Sequence, residues 1–239
     1  MYFRNYPKVP YRFGNEEFNI RYPNISIYVD VVDQVRQNLP FYKEVFIPDG
    51  ERPDTLSYRI YGQSEYYWTF FLLNPQLKEQ GWPLDQRDVR EFVRKKYPYT
   101  TFTTSDMTSI YTDFKVGQSI STQSGEVVKV VDRNLDLGQI VTELVSGNNT
   151  GTLARLTDEP GKTFTVEGQS EQYLSTHHYE DNDGNWVDIN PEDPAPSILV
   201  NVSWLEYYQR INFNNRQINV IKEDVVASIA RDFKRKALS

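Results

Sequence analysis

The segment DGERPDTLSYRIYGQSEYYW, residues 49–68, carries the clearest local signals in the chain. Pro53 and Asp54 are typical of the first turn of a helix, and Gly62 suits the position just after a helix ends. The preceding residues, FYKEVFI at 41–47, have the aromatic and β-branched composition of a strand. We therefore predict a strand followed by a helix.

A second helix is expected soon after Gly62. Ser64 favours its start, the apolar residues that follow recur at helical spacing, and Asn74-Pro75 ends it. A strand that would close this unit is missing from the residues that come next. RQINVI at 216–221 has the required alternation, so we predict that it pairs antiparallel with residues 41–47. Lengthening a loop costs only the logarithm of its length, which makes such a split unit feasible.

The whole chain is expected to be an α+β protein in four parts. Residues 1–40 form an extended N-terminal arm, and residues 41–98 form the first part of the core plus a helix over 85–97. Residues 99–170 form an inserted small β-barrel or sandwich module, and residues 171–239 supply a hairpin, the closing strand and a C-terminal helix that completes the core.

Short segments rich in Thr, Ser and Val, separated by glycines, indicate the inserted β-module. Its predicted strands include residues 109–115, 126–132 and 138–145. The sequence around Asp183-Gly184 then indicates a hairpin, and Trp204 begins a predicted helix.

The arm is rich in aromatic residues that follow neither helical nor strand period, and its prolines favour extended backbone. Such rings need a surface to pack on. We assign these arm residues to partner binding: Tyr2, Phe3, Tyr6, Tyr11 and Phe13.

Composition narrows the function classes. The chain has 239 residues, a formal net charge of −7 and no cysteine. Disulfides, thiolate metal sites and cysteine nucleophiles are therefore excluded. The acidic balance argues against nucleic-acid binding, and the most apolar run, residues 68–73, is far too short to span a membrane. The N-terminus lacks the apolar core of a signal peptide, so we expect a soluble intracellular product.

Catalytic and metal chemistry finds little support. Adjacent strand residues point to opposite faces, so His177 and His178 are not expected to hold one metal. Asp181 to Asn185 hints at a calcium loop, but Asp183-Gly184 between two strands is already explained as a turn. Glu65 sits in a helix first turn, where a carboxylate complements the helix dipole. We predict no catalytic, cofactor-binding or metal-binding residue.

The segment 49–75 resembles a LysM motif, which consists of a strand, two helices and a strand. That motif has a D-T-L start, a Y-G break between the helices and an asparagine that closes the second helix. All three features occur here, with the closing strand displaced to residues 216–221. We therefore describe the expected core as a split LysM-like unit.

The layout resembles most closely the baseplate wedge protein fifty-three family of contractile-tailed phages of the T-even kind. The resemblance covers residues 49–75, the hairpin near 173–189 and residues 214–236, whereas residues 99–170 depart from the family pattern. It implies a non-enzymatic structural subunit of the virion, assembled in the host cytoplasm and present in several copies. Its implied partners are other wedge and inner-baseplate proteins.

An aromatic face is expected on the second helix, because residues on two of its sides are aromatic and a two-helix module cannot bury both. That face could anchor a partner subunit, as aromatic hot spots do, or stack on sugar rings. We favour the partner. The remaining predicted partner-binding residues are Tyr66, Phe70, Trp82, Arg231 and Lys234.

Two alternatives stay open at this point. The chain could be a glycan-binding LysM module that recognises peptidoglycan, or a muramidase-like cell-wall hydrolase that uses paired carboxylates. Both would normally need export from the cell.

Overall fold

The computed structural model of the chain describes residues 8–12, 14, 20–23, 41–122, 125–147, 155–157, 163–193 and 195–238. Within these ranges helices and several small sheets occur in similar amounts, in agreement with the predicted α+β class. The chain divides into two compact units. The first comprises Met1–Asp85 and Asn212–Ser239, and the second comprises Gln86–Ile211.

The first unit contains a pair of short strands and a mixed α/β core. Its elements are β1 (Lys8–Tyr11), β2 (Ile20–Pro23), β3 (Tyr42–Phe46), α1 (Pro53–Tyr61), α2 (Trp68–Leu73), α3 (Gln76–Glu79), β14 (Gln217–Ile221) and α7 (Glu223–Leu238).

Strands β3 and β14 form a two-stranded antiparallel sheet, as the sequence predicts. Tyr42 lies opposite Ile221 and Phe46 lies opposite Gln217. Backbone hydrogen bonds continue beyond the strand ends, where the N–H of Lys222 donates to the carbonyl of Phe41 at 2.8 Å. Two segments that are far apart in sequence therefore belong to one sheet.

Helix α1 begins and ends where its sequence signals place it. Pro53 occupies the first turn, and the hydroxyl of Thr55 both donates to the carbonyl of Arg52 and accepts from its N–H. Gly62 follows the helix with φ +69°, a left-handed conformation that glycine adopts without steric cost. The second helix differs from the prediction, because Ser64 lies in a short 3₁₀ turn and α2 begins only at Trp68.

Asn74, the residue after α2, joins this helix to the closing strand. Its Nδ2 donates to the carbonyl of Phe70 at 2.7 Å and to that of Asn219 at 2.8 Å. Its Oδ1 accepts the N–H of Asn219 at 2.8 Å. The side chain of Asn74 is 1% exposed, so these bonds form away from water.

Two buried clusters pack against α2. One contains Leu73 with Ile221 and Val226, and the other contains Phe70 with Ile218 and further apolar residues of β3, α1 and β14. The closing strand and α7 thus supply the second layer that a two-helix module lacks.

The described part of the predicted arm is extended. Strands β1 and β2 pair antiparallel, with Lys8 opposite Pro23 and Tyr11 opposite Ile20. Apart from Arg12 and Gly14, the rest of the predicted arm lies outside the described residues.

The second unit contains a large curled sheet, a small sheet and several helices. Its elements are α4 (Gln86–Lys96), β4 (Thr100–Thr103), α5 (Met107–Thr112), β5 (Ser119–Thr122), β6 (Val127–Asn134), β7 (Gln139–Ser146), β8 (Arg155–Thr157), β9 (Thr163–Thr165), β10 (Gly168–Glu171), β11 (Thr176–Glu180), β12 (Trp186–Val187), β13 (Val200–Ser203) and α6 (Trp204–Asn214), of which the last three residues belong to the first unit.

The large sheet has the strand order β10-β4-β7-β6-β5-β8-β9, and all its pairs are antiparallel. Its two end strands are joined only by Val166 and Glu167. Such a short link spans about 10 Å, so the sheet curls until its ends are close. Apart from Glu171, the last residue of β10, this sheet lies within residues 99–170, the predicted β-module.

One predicted strand of the β-module is wrong. Residues 107–112 form helix α5, not part of a strand over 109–115. Ile110 and Phe114 are fully buried in the cluster of the curled sheet, together with Phe102, Val130 and Ile140. Ile110 lies in α5 and Phe114 lies two residues beyond its end, so the helix and the turn that follows it bring both side chains into this cluster.

The small sheet has the order β12-β11-β13. Strands β11 and β12 form the predicted hairpin, with Gly184 at φ +81° in the turn. None of the helices in the described ranges is long and apolar enough to cross a lipid bilayer.

Candidate functional site

Most of the predicted arm contacts lie outside the described residues, namely Tyr2, Phe3, Tyr6 and Phe13. Tyr11 is described in β1 and is 55% exposed. The prediction that the arm binds a partner therefore rests, among described residues, on Tyr11.

The prediction that Phe70 faces a partner is wrong for this fold. Phe70 is 0% exposed, stacks on Tyr61 with a ring-centroid distance of 5.9 Å, and also contacts Trp82. The reason is the closing strand β14, whose Ile218 and Val220 share the buried cluster of Phe70 and which the two-helix argument left out. Tyr66 is half-buried, with its ring edge against Tyr61 at 5.7 Å.

Trp82 is half-buried and helps to hold the core together. Its indole Nε1 donates to the carbonyl of Glu51 at 2.7 Å, and its ring packs on Phe70 and Phe71. The two basic candidates lie on α7. Arg231 is exposed, and its Nε donates to the carbonyl of Ala227 at 3.3 Å. The side chain of Lys234 lies outside the described residues.

An aromatic–histidine cluster, defined as His177, His178, Trp186, Trp204 and Tyr207, is the densest ring assembly among the described residues. His177 stacks on Tyr207 at 4.2 Å with an interplanar angle of 10°, and meets Trp204 edge to face at 4.2 Å. His178 stacks on Trp186 at 4.1 Å and 27°. Helix α6 and the hairpin β11–β12 are thus joined through rings.

The prediction that His177 and His178 point to opposite faces is wrong. The register of β11 against β13 shifts between Thr176 and His178, which marks a β-bulge. A bulge inserts an extra residue and breaks the alternation of side chains. The two imidazoles therefore meet, with their Nδ1 atoms 2.7 Å apart in a hydrogen bond whose donor depends on the tautomers.

A chain of polar contacts continues from the imidazoles to α6. His178 Nε2 lies 2.8 Å from Glu180 Oε1, the other Glu180 oxygen accepts from Arg210, and Arg210 also donates to Glu206 at 2.8 Å. The hydrogen bonds from Arg210 and then from His178 hold the pKa of Glu180 below its usual value.

Burial, with a smaller effect from neighbouring His178, lowers the pKa of His177 to about 4. His177 is therefore neutral near pH 7. A neutral imidazole can supply the acceptor or the single donor that the bond to His178 requires.

The cluster extends to α4 through a second set of rings. Tyr97 packs on Trp204 at 4.2 Å, and its hydroxyl lies 3.1 Å from that of Tyr208. Lys96 Nζ lies 4.8 Å from the ring centroid of Tyr208, a cation–π distance, and donates to its hydroxyl. Burial, followed by the bond to Tyr208, raises the pKa of Tyr97.

The cluster is a packed contact between helix α6 and the hairpin β11–β12, with one ring exposed to solvent. The hydrogen bonds described for the two imidazoles go to each other and to Glu180, whereas nucleophilic catalysis needs an imidazole nitrogen beside a hydroxyl or thiol. Within the described ranges, no group of three or more His, Asp or Glu side chains is placed to hold a metal ion.

The segment from Asp181 to Asn185 forms the predicted turn. Oδ1 of Asp181 accepts the N–H groups of Asp183 and Asn185, both at 2.9 Å. Its carboxylate also accepts from the Asn185 amide, and these bonds lower the pKa of Asp181.

Trp186 is the open side of the cluster, because it is 61% exposed although one ring face lies against His178. Sequence reasoning missed this residue. The Asp183-Gly184 turn was the available signal, since it places Trp186 at the first position of the return strand. Further exposed aromatic side chains of the described residues include Tyr58, Tyr111 and Phe213, and Phe213 packs against the exposed Phe46 at 5.9 Å.

No protein-family model and no curated protein matches the chain.

Proposed function

We propose that this chain is a structural subunit of the baseplate wedge in a contractile phage tail, where it clamps neighbouring wedge subunits. The observation that supports this most is the pairing of β3 with β14, with α1 and α2 between them in sequence. That strand–helix–helix–strand order is the one expected of a split LysM-like core.

The local details of the core agree with the same proposal. The LysM-like features of the sequence were a D-T-L start, a Y-G break and a closing asparagine. Thr55 caps α1, Gly62 ends it, and Asn74 bonds the end of α2 to the closing strand. Each of these residues has a physical task in a unit of this design.

Partner binding is favoured by the exposed aromatic side chains that the chain carries on both units. Phe46 and Phe213 are 49% and 60% exposed and lie against each other on the first unit. Exposed aromatic groups of this kind are enriched at protein interfaces. We accordingly propose binding to other wedge and inner-baseplate proteins, without catalysis, cofactor, nucleic acid or membrane.

The glycan-binding alternative relied on an aromatic face of the second helix. A sugar-stacking face on the second helix would need an accessible Phe70, which is fully buried here. The assembly proposal does not need that face, because other exposed rings are present. The proposed location is the virion, after assembly in the host cytoplasm, with several copies in each baseplate.

Co-expression with the tail-assembly proteins encoded beside its gene tests the proposal. We expect a stable complex in size-exclusion chromatography with light scattering, and a weaker complex for Phe46→Ala combined with Phe213→Ala. Asn214→Ala, a change at a neighbouring exposed residue, is the matched control. A chain that stays monomeric with all of these proteins, but binds chito-oligosaccharide in calorimetry or lyses purified cell wall, would refute the proposal.

A further inference from the structure

The hairpin surface, defined as β12, the turn before it and the adjacent parts of β11 and β13, carries exposed apolar side chains on either side of Glu180. Trp186 lies opposite Glu180, which in turn lies opposite Val200. Residues opposite one another share a sheet face. Trp186 and Val200 are 61% and 47% exposed on either side of Glu180, and Ile198 just before β13 is 68% exposed.

The indole of Trp186 is held in place before any ligand arrives. One ring face stacks on His178 at 4.1 Å, and the ring meets His177 edge to face at 5.2 Å. His178 itself is only 7% exposed and is hydrogen-bonded on both sides. Binding to the outer face of Trp186 would therefore cost little ordering of the side chain, which favours affinity.

The stretch of chain that contains Trp186 is acidic. Between Lys162 and Arg210 the sequence contains no lysine or arginine and nine aspartates and glutamates. Arg210, which ends this stretch, already pairs with Glu180 and Glu206. The carboxylates of the turn and its flanks in the described residues are Glu180, Asp181, Asp183 and Asp188.

We propose that the hairpin surface docks an arginine-bearing basic segment of another protein. A guanidinium stacks on the outer face of Trp186, and further cations of the segment face the carboxylates around it. A tryptophan face is the best aromatic partner for a cation, and a planar guanidinium stacks there better than an ammonium.

Charge selects this occupant over the others. Nucleic acids and anionic lipid surfaces carry phosphates, which the carboxylates repel. A basic protein segment matches both the ring and its rim. The inference rests on the proposed function only in that the chain binds another protein.

The test uses the full chain and a short peptide of alternating glycine and arginine, with lysine and glutamate versions for comparison. The indole N–H resonance of Trp186 is followed in ¹H–¹⁵N NMR spectra and is assigned with Trp186→Phe. We expect a saturable shift of this resonance with the arginine peptide, weaker binding of the lysine peptide and none of the glutamate peptide. Trp186→Ala should weaken binding roughly 5- to 30-fold.

Tyr58→Ala is the matched control, because Tyr58 is similarly exposed at 67% but lies in the other unit. It should leave the affinity unchanged. Asp188→Asn should weaken binding of the arginine peptide by a smaller factor. If Trp186→Ala fails to fold, this variant and the shift of the Trp186 resonance together decide whether the peptide binds at the hairpin surface. The proposal is overturned if the arginine peptide leaves the Trp186 resonance in place, or if folded Trp186→Ala binds it as tightly as the native chain.

Failure of this inference and failure of the proposed function are distinguishable. The peptide experiment needs no tail protein, so a positive result stands even if co-expression yields no complex. Conversely, a complex with tail proteins that is insensitive to Trp186→Ala would preserve the proposed function and reject this docking site.

Discussion

Replacing Asn74 by alanine should weaken the first unit more than any exposed substitution. The change removes three hydrogen bonds of 2.7–2.8 Å, two of which reach Asn219. The carbonyl of Phe70 keeps a second partner, since the N–H of residue 74 also donates to it at 3.2 Å. The N–H and carbonyl of Asn219 keep no such substitute among the bonds described for them.

The expected loss follows from the two orphaned groups. A buried polar group without a partner costs about 1–3 kcal/mol, and Asn219 is half-buried, so the lower part of that range applies. Two such groups and the small cavity left at a 1% exposed site give about 2–4 kcal/mol. Asn74→Asp should cost at least as much, because a carboxylate cannot donate to the two carbonyls and is buried with a charge.

Two measurements test this loss. Urea unfolding gives the free energy of unfolding, and hydrogen exchange of the β14 backbone amides shows whether the loss lies in the first unit. The transition midpoint should fall with an unchanged slope, and the Asn219 amide should exchange faster. Asn214→Ala, at an exposed position, should shift the free energy of unfolding by no more than about 0.5 kcal/mol. A loss below about 1 kcal/mol for Asn74→Ala, or unaltered exchange at Asn219, would refute the idea that Asn74 closes the split unit.

Two further predictions concern the second unit. Lowering the pH from 7 to 4 should destabilise it, because His177 has a pKa of about 4 when folded and ~6.5 when unfolded, so the unfolded chain binds the extra proton in that interval. Allowing for solvent screening at this half-buried site, the free energy of unfolding should fall by roughly 1–2 kcal/mol. Denaturant titrations at several pH values measure this change. A His177→Phe variant with the same pH dependence would show that His177 is not its cause. Gly138→Ala should cost roughly 2–4 kcal/mol, because Gly138 has φ +59° and an added Cβ would collide with the carbonyl of Thr104. Gly184→Ala, with φ +81° and open space around it, should cost only about 1–2 kcal/mol in the same unfolding assay, and equal losses would show that the collision does not matter.

The elements that sequence reasoning found are those with strong local signals. Helix α1 has a proline in its first turn and a glycine at its end, and both signals act over a few residues. The pairing of β3 with β14 is non-local, yet it was predictable because a recognisable unit lacked one strand and RQINVI had the alternation to supply it.

The errors occur where a tertiary contact outweighs local pattern. Residues 107–112 are rich in Thr, Ser and Tyr and favour a strand, but the curled sheet needs apolar side chains at its centre, and helix α5 with the turn after it supplies Ile110 and Phe114 to that cluster. The bulge beside His178 similarly overrides strand alternation. Phe70 is covered by residues from the end of the chain, which a local helical wheel does not include.

Hydrogen bonds at the two ends of the second unit, Gln86–Ile211, explain how the first unit folds around so long an inserted segment. Closing a flexible loop of the length of Gln86–Ile211 would cost about 4 kcal/mol. The chain leaves and re-enters the first unit at one place, where Asn212 accepts the N–H of Leu84 at 2.8 Å and donates to its carbonyl at 2.9 Å.

Neighbouring residues reinforce this joint, since Asn215 donates to Gln80 and Arg216 donates both to Asp49 and to the Leu84 carbonyl. Arg216 directly precedes β14, so the side chains that fasten the ends of the insertion also position the closing strand for Tyr42–Phe46. The insertion is therefore tolerated because its two ends are bonded to each other within the first unit, whatever the length of chain between them.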